Sequence, residues 1–290
     1  MGNLKEIKNR QASVKSISQI TKAMKMIASS KISKAESMVK AGVPYAEQLV
    51  YIMGKIAENT KEISHPLLEK RSDVKNVGIL IITSDKGLCG AYNTNIMKMS
   101  SNFSDELKLD GKNPVIYILG TKAKNYYDRR KIPYRWGKAN WIPDSDFADE
   151  MYLMFAKDFA ENVFDELHII YASAKSKASY KVKNIQYLPF IPEIKEENSS
   201  RNTGNCVFEP STEMAVNLLV PMALKQLLLT SLLDARYSEY GARIVAMTNA
   251  TDSAEKLSDE LRLSFFRARQ EAITTEILEI SSAAAQLSKS

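Results

Sequence analysis

The sequence predicts an α/β domain inserted between two long terminal helices that pair as an antiparallel, left-handed coiled coil. Three observations carry this expectation. Both ends of the 290-residue chain hold helical patterns longer than a globular core accommodates. Each pattern has a heptad-like apolar seam, and the middle alternates strand-length apolar runs with helical segments.

The first element is the N-terminal helix. From Leu4 to about Ile63 the pattern contains one proline, Pro44. The expected seam takes Ile7, Arg10, Val14, Ile17, Thr21, Met24, Ala28, Lys31, Ala35, Met38 and Gly42, with Ile20 and Ile27 widening it. At ~1.5 Å per residue, a run of roughly 60 residues is ~90 Å long. The net charge of +6 originates here: residues 1–40 hold nine Lys/Arg against two acids, residues 41–210 sum to +1 and residues 211–290 to −2. Within it "QITKAMKMIASSK" (19–31) mixes Met, Ala and Ile with Lys and Ser and contains no acid.

The middle changes character. "VKNVGILIITS" (74–84), "NPVIYILG" (113–120), "DELHIIYAS" (165–173) and "KVKNIQYLPF" (181–190) read as strands, with helical segments near 91–103, 121–131 and 145–164. A βαβα order predicts a parallel sheet joined by right-handed crossovers, a Rossmann-like insert. The polar stretch "IKEENSSRNTGN" (194–205) reads as a linker.

The C-terminal helix is expected from Ser211, an N-cap followed by Glu213, with Pro221 forcing a kink or restart. Its seam runs Tyr240, Ile244, Met247, Thr251, Ala254, Leu257 or Ser258, Leu261, Phe265, Ala268, Ala272 and Thr275. Two such helices bury their seams most economically against each other, and the 3.5-residue repeat gives a left-handed twist. The expected division is 1–63 for the first coiled-coil helix, 74–195 for the α/β domain and 211–290 for the second helix.

Several chemistries find little in the residues. The first strand-to-helix turn, "TSDKGLCGAYN", places Gly87 and Gly90 where a phosphate-binding turn would lie, but it lacks GxGxxG, GxxxxGK[ST] and GxSxG. Its glycines are read as serving a tight turn and close helix packing. His65 precedes Pro66, and His168 lies in an apolar strand; neither has a paired partner. Asp144, Asp146, Asp149 and Glu150 cluster where a helix starts and suit its dipole. Cys89 and Cys206 form no disulfide framework or zinc site, which favours a reducing compartment. No catalytic, cofactor-binding or metal-ligating residue is therefore expected. The lysines of the first helix would grip phosphate, but they occupy several faces and lack interleaved aromatics, so a nucleic-acid partner is not expected.

The richest apolar stretch, Leu218 to Leu233, is broken by Pro221, Lys225 and Gln226, so no membrane span is expected. The N-terminus shows neither a signal core nor a transit pattern. That favours a bacterial chain at the cytoplasmic face of the plasma membrane, with the matrix face of the mitochondrial inner membrane as the alternative.

"ITKAMKMIASSKISKAE" (20–36), "TSDKGLCGAYNTNI" (83–96), "ARIVAMTNATDSA" (242–254) and "RARQEAITTEILEISSAAAQL" (267–287) resemble the gamma subunit of the rotary, F-type ATP synthase. The resemblance covers nearly the whole chain. Ile273, Thr274, Glu276, Glu279 and Ala284 fall at the family's signature spacing, whereas Ala283 replaces its glycine and Phe266 an asparagine. It implies a non-catalytic central-stalk rotor that couples proton-driven rotation of the c ring to the catalytic sites of the alpha and beta subunits. The implied partners are the alpha and beta subunits, the epsilon subunit and the c ring. By matching positions, Met24, Lys25, Arg269 and Gln270 would face the beta subunits. Phe208 and Glu209 would form part of the foot on the c ring and epsilon, and Ile280, Ala284 and Leu287 the tip in its bearing. The alternative is a coiled-coil nucleic-acid-binding or scaffold protein with a Rossmann-like insert.

Overall fold

The computed structural model describes residues 2–59, 65–191 and 211–287. Two long helices, α1 (Gly2–Asn59) and α5 (Thr212–Leu287), run antiparallel as a coiled coil and flank a central α/β domain. Pairings along them run in opposite senses: Thr21 meets Thr251, and Gly42 meets Gln226. The chain divides into two compact units, residues 1–28 with 244–290, and residues 29–243.

In the first unit the seam of α5 is the expected one. Met247, Thr251 and Ala254 are buried, Ser258, Leu261, Phe265, Ala268 and Ala272 are half-buried, and Leu257 points outward. Thr275 is exposed instead of continuing the seam. In α1 only half of the expected seam holds. Val14, Thr21 and Ala28 are buried, but Gln11, Ser18 and Lys25 occupy the positions between them, whereas Arg10 and Ile17 are exposed. Ile20 and Ile27 do not widen the seam; they too are exposed. The hydroxyls of Thr21 and Thr251 lie 2.7 Å apart at its centre. Ser18 is half-buried on the contact face, whereas its neighbour Ile17 is 51% exposed. The same shift continues in the second unit, where Ile32 and Ala35 are buried and Lys31 and Met38 are exposed.

The α/β part of the second unit is a five-stranded sheet, ordered β3-β2-β1-β4-β5. Its strands are β1 (Asn76–Ile82), β2 (Asn113–Leu119), β3 (Trp136–Lys138), β4 (Glu166–Ser176) and β5 (Ser179–Leu188). Between them lie α2 (Tyr92–Leu109), α3 (Thr121–Arg130) and α4 (Ser145–Ala160). The first four strands are parallel. β5 is antiparallel to β4, which corrects the all-parallel expectation. Only Lys177 and Ala178 separate the two strands, too few for a crossover. β3 lacks an apolar run and has three residues, so it left no signal to read.

β1 is central, and its alternate side chains enter two cores. Leu80 and Ile82 join Tyr117, Leu119, Ile169 and Tyr187 beneath α4 and the start of α5. Val77, Ile79 and Ile81 join Ile116, Ile118 and Ile170 beneath α2 and α3. Burial on both faces explains the continuous apolar run of this strand. Asp144 caps α4, its carboxylate accepting from the Phe147 N–H at 2.8 Å, while Asp149 pairs with Lys225 and Glu150 with Lys138. Ser211 caps α5, its hydroxyl accepting from the Met214 N–H at 3.2 Å.

α5 continues through Pro221 as one helix rather than restarting. Val220, Ala223 and Leu224 beside it are buried in the core, and this packing offsets the lost hydrogen bond. A window of α5 has a mean hydropathy of 1.6, enough by length and composition to cross a membrane. Its apolar side chains at Val220, Ala223, Leu224, Leu228 and Leu232 are core residues of the α/β domain.

Candidate functional site

A sheet of this order has a topological switch between β1 and β4, and ligands of open α/β folds bind outside the carboxyl ends of the strands there. In this chain α5 fills that place. After β1, Asp85 accepts from the Thr121 N–H at 3.0 Å and the Asn140 N–H at 2.8 Å, and its second oxygen pairs with Arg236 of α5 at 3.0 Å. Arg236 also donates to the Trp141 carbonyl, stacks on that ring at 3.8 Å and pairs with Glu239 at 2.9 Å. Glu239 in turn holds Arg243 at 2.8 Å, and Arg243 donates to the carbonyls of Lys86 and Gly87. At the end of β4, Asp234 accepts from the Ala174 N–H at 3.0 Å, and the Tyr92 hydroxyl donates to the Ala235 carbonyl at 2.9 Å.

The electrostatics follow from this pairing. Burial by itself raises the Asp85 carboxyl, but the Asn140 N–H and the Arg236 guanidinium outweigh it and hold the group below its ordinary value. Burial likewise lowers Arg236, and Glu239 and Asp85 outweigh it, so the guanidinium lies above its ordinary value. Asp234 has weaker compensation, and burial leaves its carboxyl raised.

The turn "TSDKGLCGAYN" is thus engaged by the chain itself. Ser84 and Asn93 bond each other across it, and the buried Cys89 thiol sits 3.2 Å from the Asn93 amide, pushed up chiefly by burial. Gly90 meets the expected need of a tight turn, at φ +59, whereas Gly87 does not take a left-handed conformation. Its carbonyl instead faces Arg243. His168 bonds Asn184 at 3.0 Å beside Glu166, and burial lowers its pKa. Among the described residues no group of His, Cys, Asp and Glu is placed to hold a metal ion.

A second candidate lies on α5 in the other unit. Leu263, Phe266, Gln270, Ile273, Ile277, Ile280 and Ala284 are all exposed, at alternating spacings of three and four. They form an outward stripe, separate from the inward seam, with Ile277 60% and Ile280 70% exposed. Leu287 continues the same spacing, but its side chain lies outside the described residues. Arg269 is exposed beside the stripe. α1 carries the counterpart Ile17, Ile20, Met24 and Ile27, with Met24 half-buried and the others exposed. Lys25 falls at the spacing of the buried seam residues, and it and Met24 are both half-buried. Phe208 and Glu209, expected at the foot, lie outside the described residues.

The stripe was missed as a pattern because on α1 it runs one residue beside the seam, and the two apolar series merge in the sequence. On α5 the signal was present: an apolar series continues after the inward seam has ended at Ala272.

Solved structures of low identity share this fold. A chain of the Euglena gracilis mitochondrial ATP synthase rotor, in rotational state 1, is 17% identical with a TM-score of 0.64, the match covering 94% of this chain and 99% of that one. A chain of the same organism's OSCP/F1/c-ring assembly, in rotational state 3, is 20% identical with a TM-score of 0.67, covering 99% and 95%. A chain of the central stalk and c ring of the Tetrahymena thermophila mitochondrial ATP synthase is 25% identical with a TM-score of 0.59, covering 80% and 99%. The sequence itself matches the model of the ATP synthase family over residues 3–287, from the start of α1 to the end of α5, and the chain therefore belongs to that family.

Proposed function

We propose that the chain is the rotor, the central-stalk gamma subunit, of an ATP synthase. The observation that carries this reading is the family match over residues 3–287, which takes in both terminal helices as well as the α/β domain. The likeness to chains of a rotor and of a central stalk supports it. In this reading the chain performs no catalysis. It turns with the c ring and drives the catalytic sites of the alpha and beta subunits through their states in sequence.

The stripe on α5 supplies contact surface for such a role. A rotor must touch several equivalent stator positions without settling in one, because a well of ~5 kcal/mol slows each step more than a thousandfold. Exposed aliphatic side chains and Met24 give non-directional contact, and Lys25, half-buried at the seam, has a long flexible stem that can carry its ammonium to the edge and attract acid without bidentate locking. Met24, Lys25, Arg269 and Gln270 are accordingly assigned to the beta-subunit belt, and Ile280, Ala284 and Leu287 to the bearing. Phe208 and Glu209 are assigned to the foot on the c ring and epsilon. Because the similar structures are mitochondrial, they favour the matrix face of the inner membrane over the bacterial plasma membrane.

The scaffold half of the alternative reading, a coiled coil carrying a Rossmann-like insert, describes the observed architecture directly; a rotor is a scaffold with a more specific task. Copurification tests the proposal. One copy of the chain should be recovered with three alpha and three beta subunits. A chain recovered without them that shifts duplex DNA at physiological salt would overturn it.

A further inference from the structure

We propose that the switch-point crevice of the α/β domain is a torque collar, which locks α5 against rotation about its own axis and so transmits turning force between the domain and the shaft. The inference rests on the rotor reading and assigns it transmission residues: Arg236, Glu239 and Arg243 on the helix, and Asp85 on the domain.

Apolar packing by itself does not fix the rotation of a helix about its axis. The start of α5 is buried through Val216, Val220, Ala223, Leu224 and Leu228. Such contacts are non-directional: they resist separation, but a helix can roll within them at modest cost. Directional bonds resist rolling; besides those of Leu224, Lys225 and Gln226, a linked series of them lies within residues 234–243. Arg236, Glu239 and Arg243 follow one another at spacings of three and four, so they share one helix face. That face is held by the β1–α2 turn through Asp85, Lys86 and Gly87, and by the segment after β3 through the Trp141 carbonyl. Asp85 is itself fixed by the N–H groups of Thr121 and Asn140, so the grip is anchored to two further segments.

A second grip comes from β4 and the β4–β5 hairpin. Asp234 accepts from Ala174. The Lys177 carbonyl approaches so closely that a Cβ added to Gly241 would lie 2.6 Å from it. Lys177 also pairs with Glu36 of α1 at 2.8 Å, which brings the partner helix into the same ring of contacts.

The location adds to the case. These residues lie on α5, which continues unbroken through Ile244 to Leu287. Burying three alternating charges for stability alone has little advantage over apolar packing of the same volume. What the charges add is a fixed rotational phase.

The test uses the complete enzyme in sealed membranes and compares ATP-driven proton pumping with ATP hydrolysis. Glu239→Gln removes the charge that joins the two arginines; Arg243→Lys is the milder change, keeping the charge and losing the fork. Both should assemble with normal subunit content and hydrolyse ATP, while protons pumped per ATP fall roughly twofold or more as the grip on the buried helix weakens. The deficit should grow as the opposing proton gradient rises. Should Glu239→Gln fail to assemble, Arg243→Lys decides. A merely structural role would lower the amount of assembled enzyme and leave the ratio of the remainder unchanged, and that result would overturn the collar. If instead the wild-type chain does not assemble with alpha and beta subunits, the rotor reading itself fails.

Discussion

Two carboxylates beside the same stretch of α5 are driven in opposite directions. Asp85, like Asp158 with Arg135 and Asp165 with Arg71, is desolvated but more than compensated by its partners, and all three lie below the ordinary value of 3.8. A carboxyl with a depressed folded-state value contributes stability that is complete above its unfolded value and is lost as pH falls through the folded one. Asp234 is raised by burial, so ionising it costs stability above its folded-state value, and that cost disappears as pH falls through that value toward 3.8. The corresponding expectation is that Asp234→Asn, which keeps an acceptor for Ala174, leaves stability at pH 7 unchanged or up to ~1 kcal/mol higher. Asp165→Asn should lower it by ~1–3 kcal/mol, because the Lys75 and Asn76 N–H groups and Arg71 all converge on that carboxylate. Urea melts of the purified chain at pH 7 and about pH 4 check both, with the gap between Asp234→Asn and wild type closing at the lower pH. The sequence pattern carries no sign of this: only the return of Asp85 from far earlier in the chain makes Arg236, Glu239 and Arg243 a network.

At the level of elements, period and length carried most of the fold. The two long helices, the central strands β1, β2 and β4 and the helices between them were readable because each has a strong apolar period over many residues. What the pattern did not resolve was which of two adjacent apolar series on α1 faces α5. Of the expected seam Val14, Thr21, Ala28 and Ala35 hold, whereas Ile17, and Ile20 and Ile27 that were to widen it, lie exposed, with Gln11, Ser18 and Lys25 half-buried at the intervening positions. This assignment predicts an asymmetry between neighbours. Val14→Ala in the seam should cost ~1–2 kcal/mol in chemical denaturation, and Ile17→Ala on the outer face less than ~0.5 kcal/mol. Equal losses at both positions would mean that Ile17 is packed within the chain and is not available to a partner.

Across the whole molecule, α5 changes along its length from a core helix to an exposed one. Its inward seam ends at Ala272, while the outward stripe continues through Ile273, Ile277 and Ile280. A helix that presents a row of large aliphatic side chains outward offers the kind of surface that another protein covers. Arg269 and Gln270, the pair proposed for the belt, stand on the exposed surface at the point where this change occurs. Replacing both with Ala removes one charge and two hydrogen-bonding groups without touching the seam, so the chain should fold and assemble normally. In the assembled complex, ATP hydrolysis or ATP-driven pumping should fall by roughly tenfold, the effect of losing ~1.4 kcal/mol of contact made during turnover. Unchanged rates of both would remove the pair from the belt and leave the stripe beyond it as the contact with the stator.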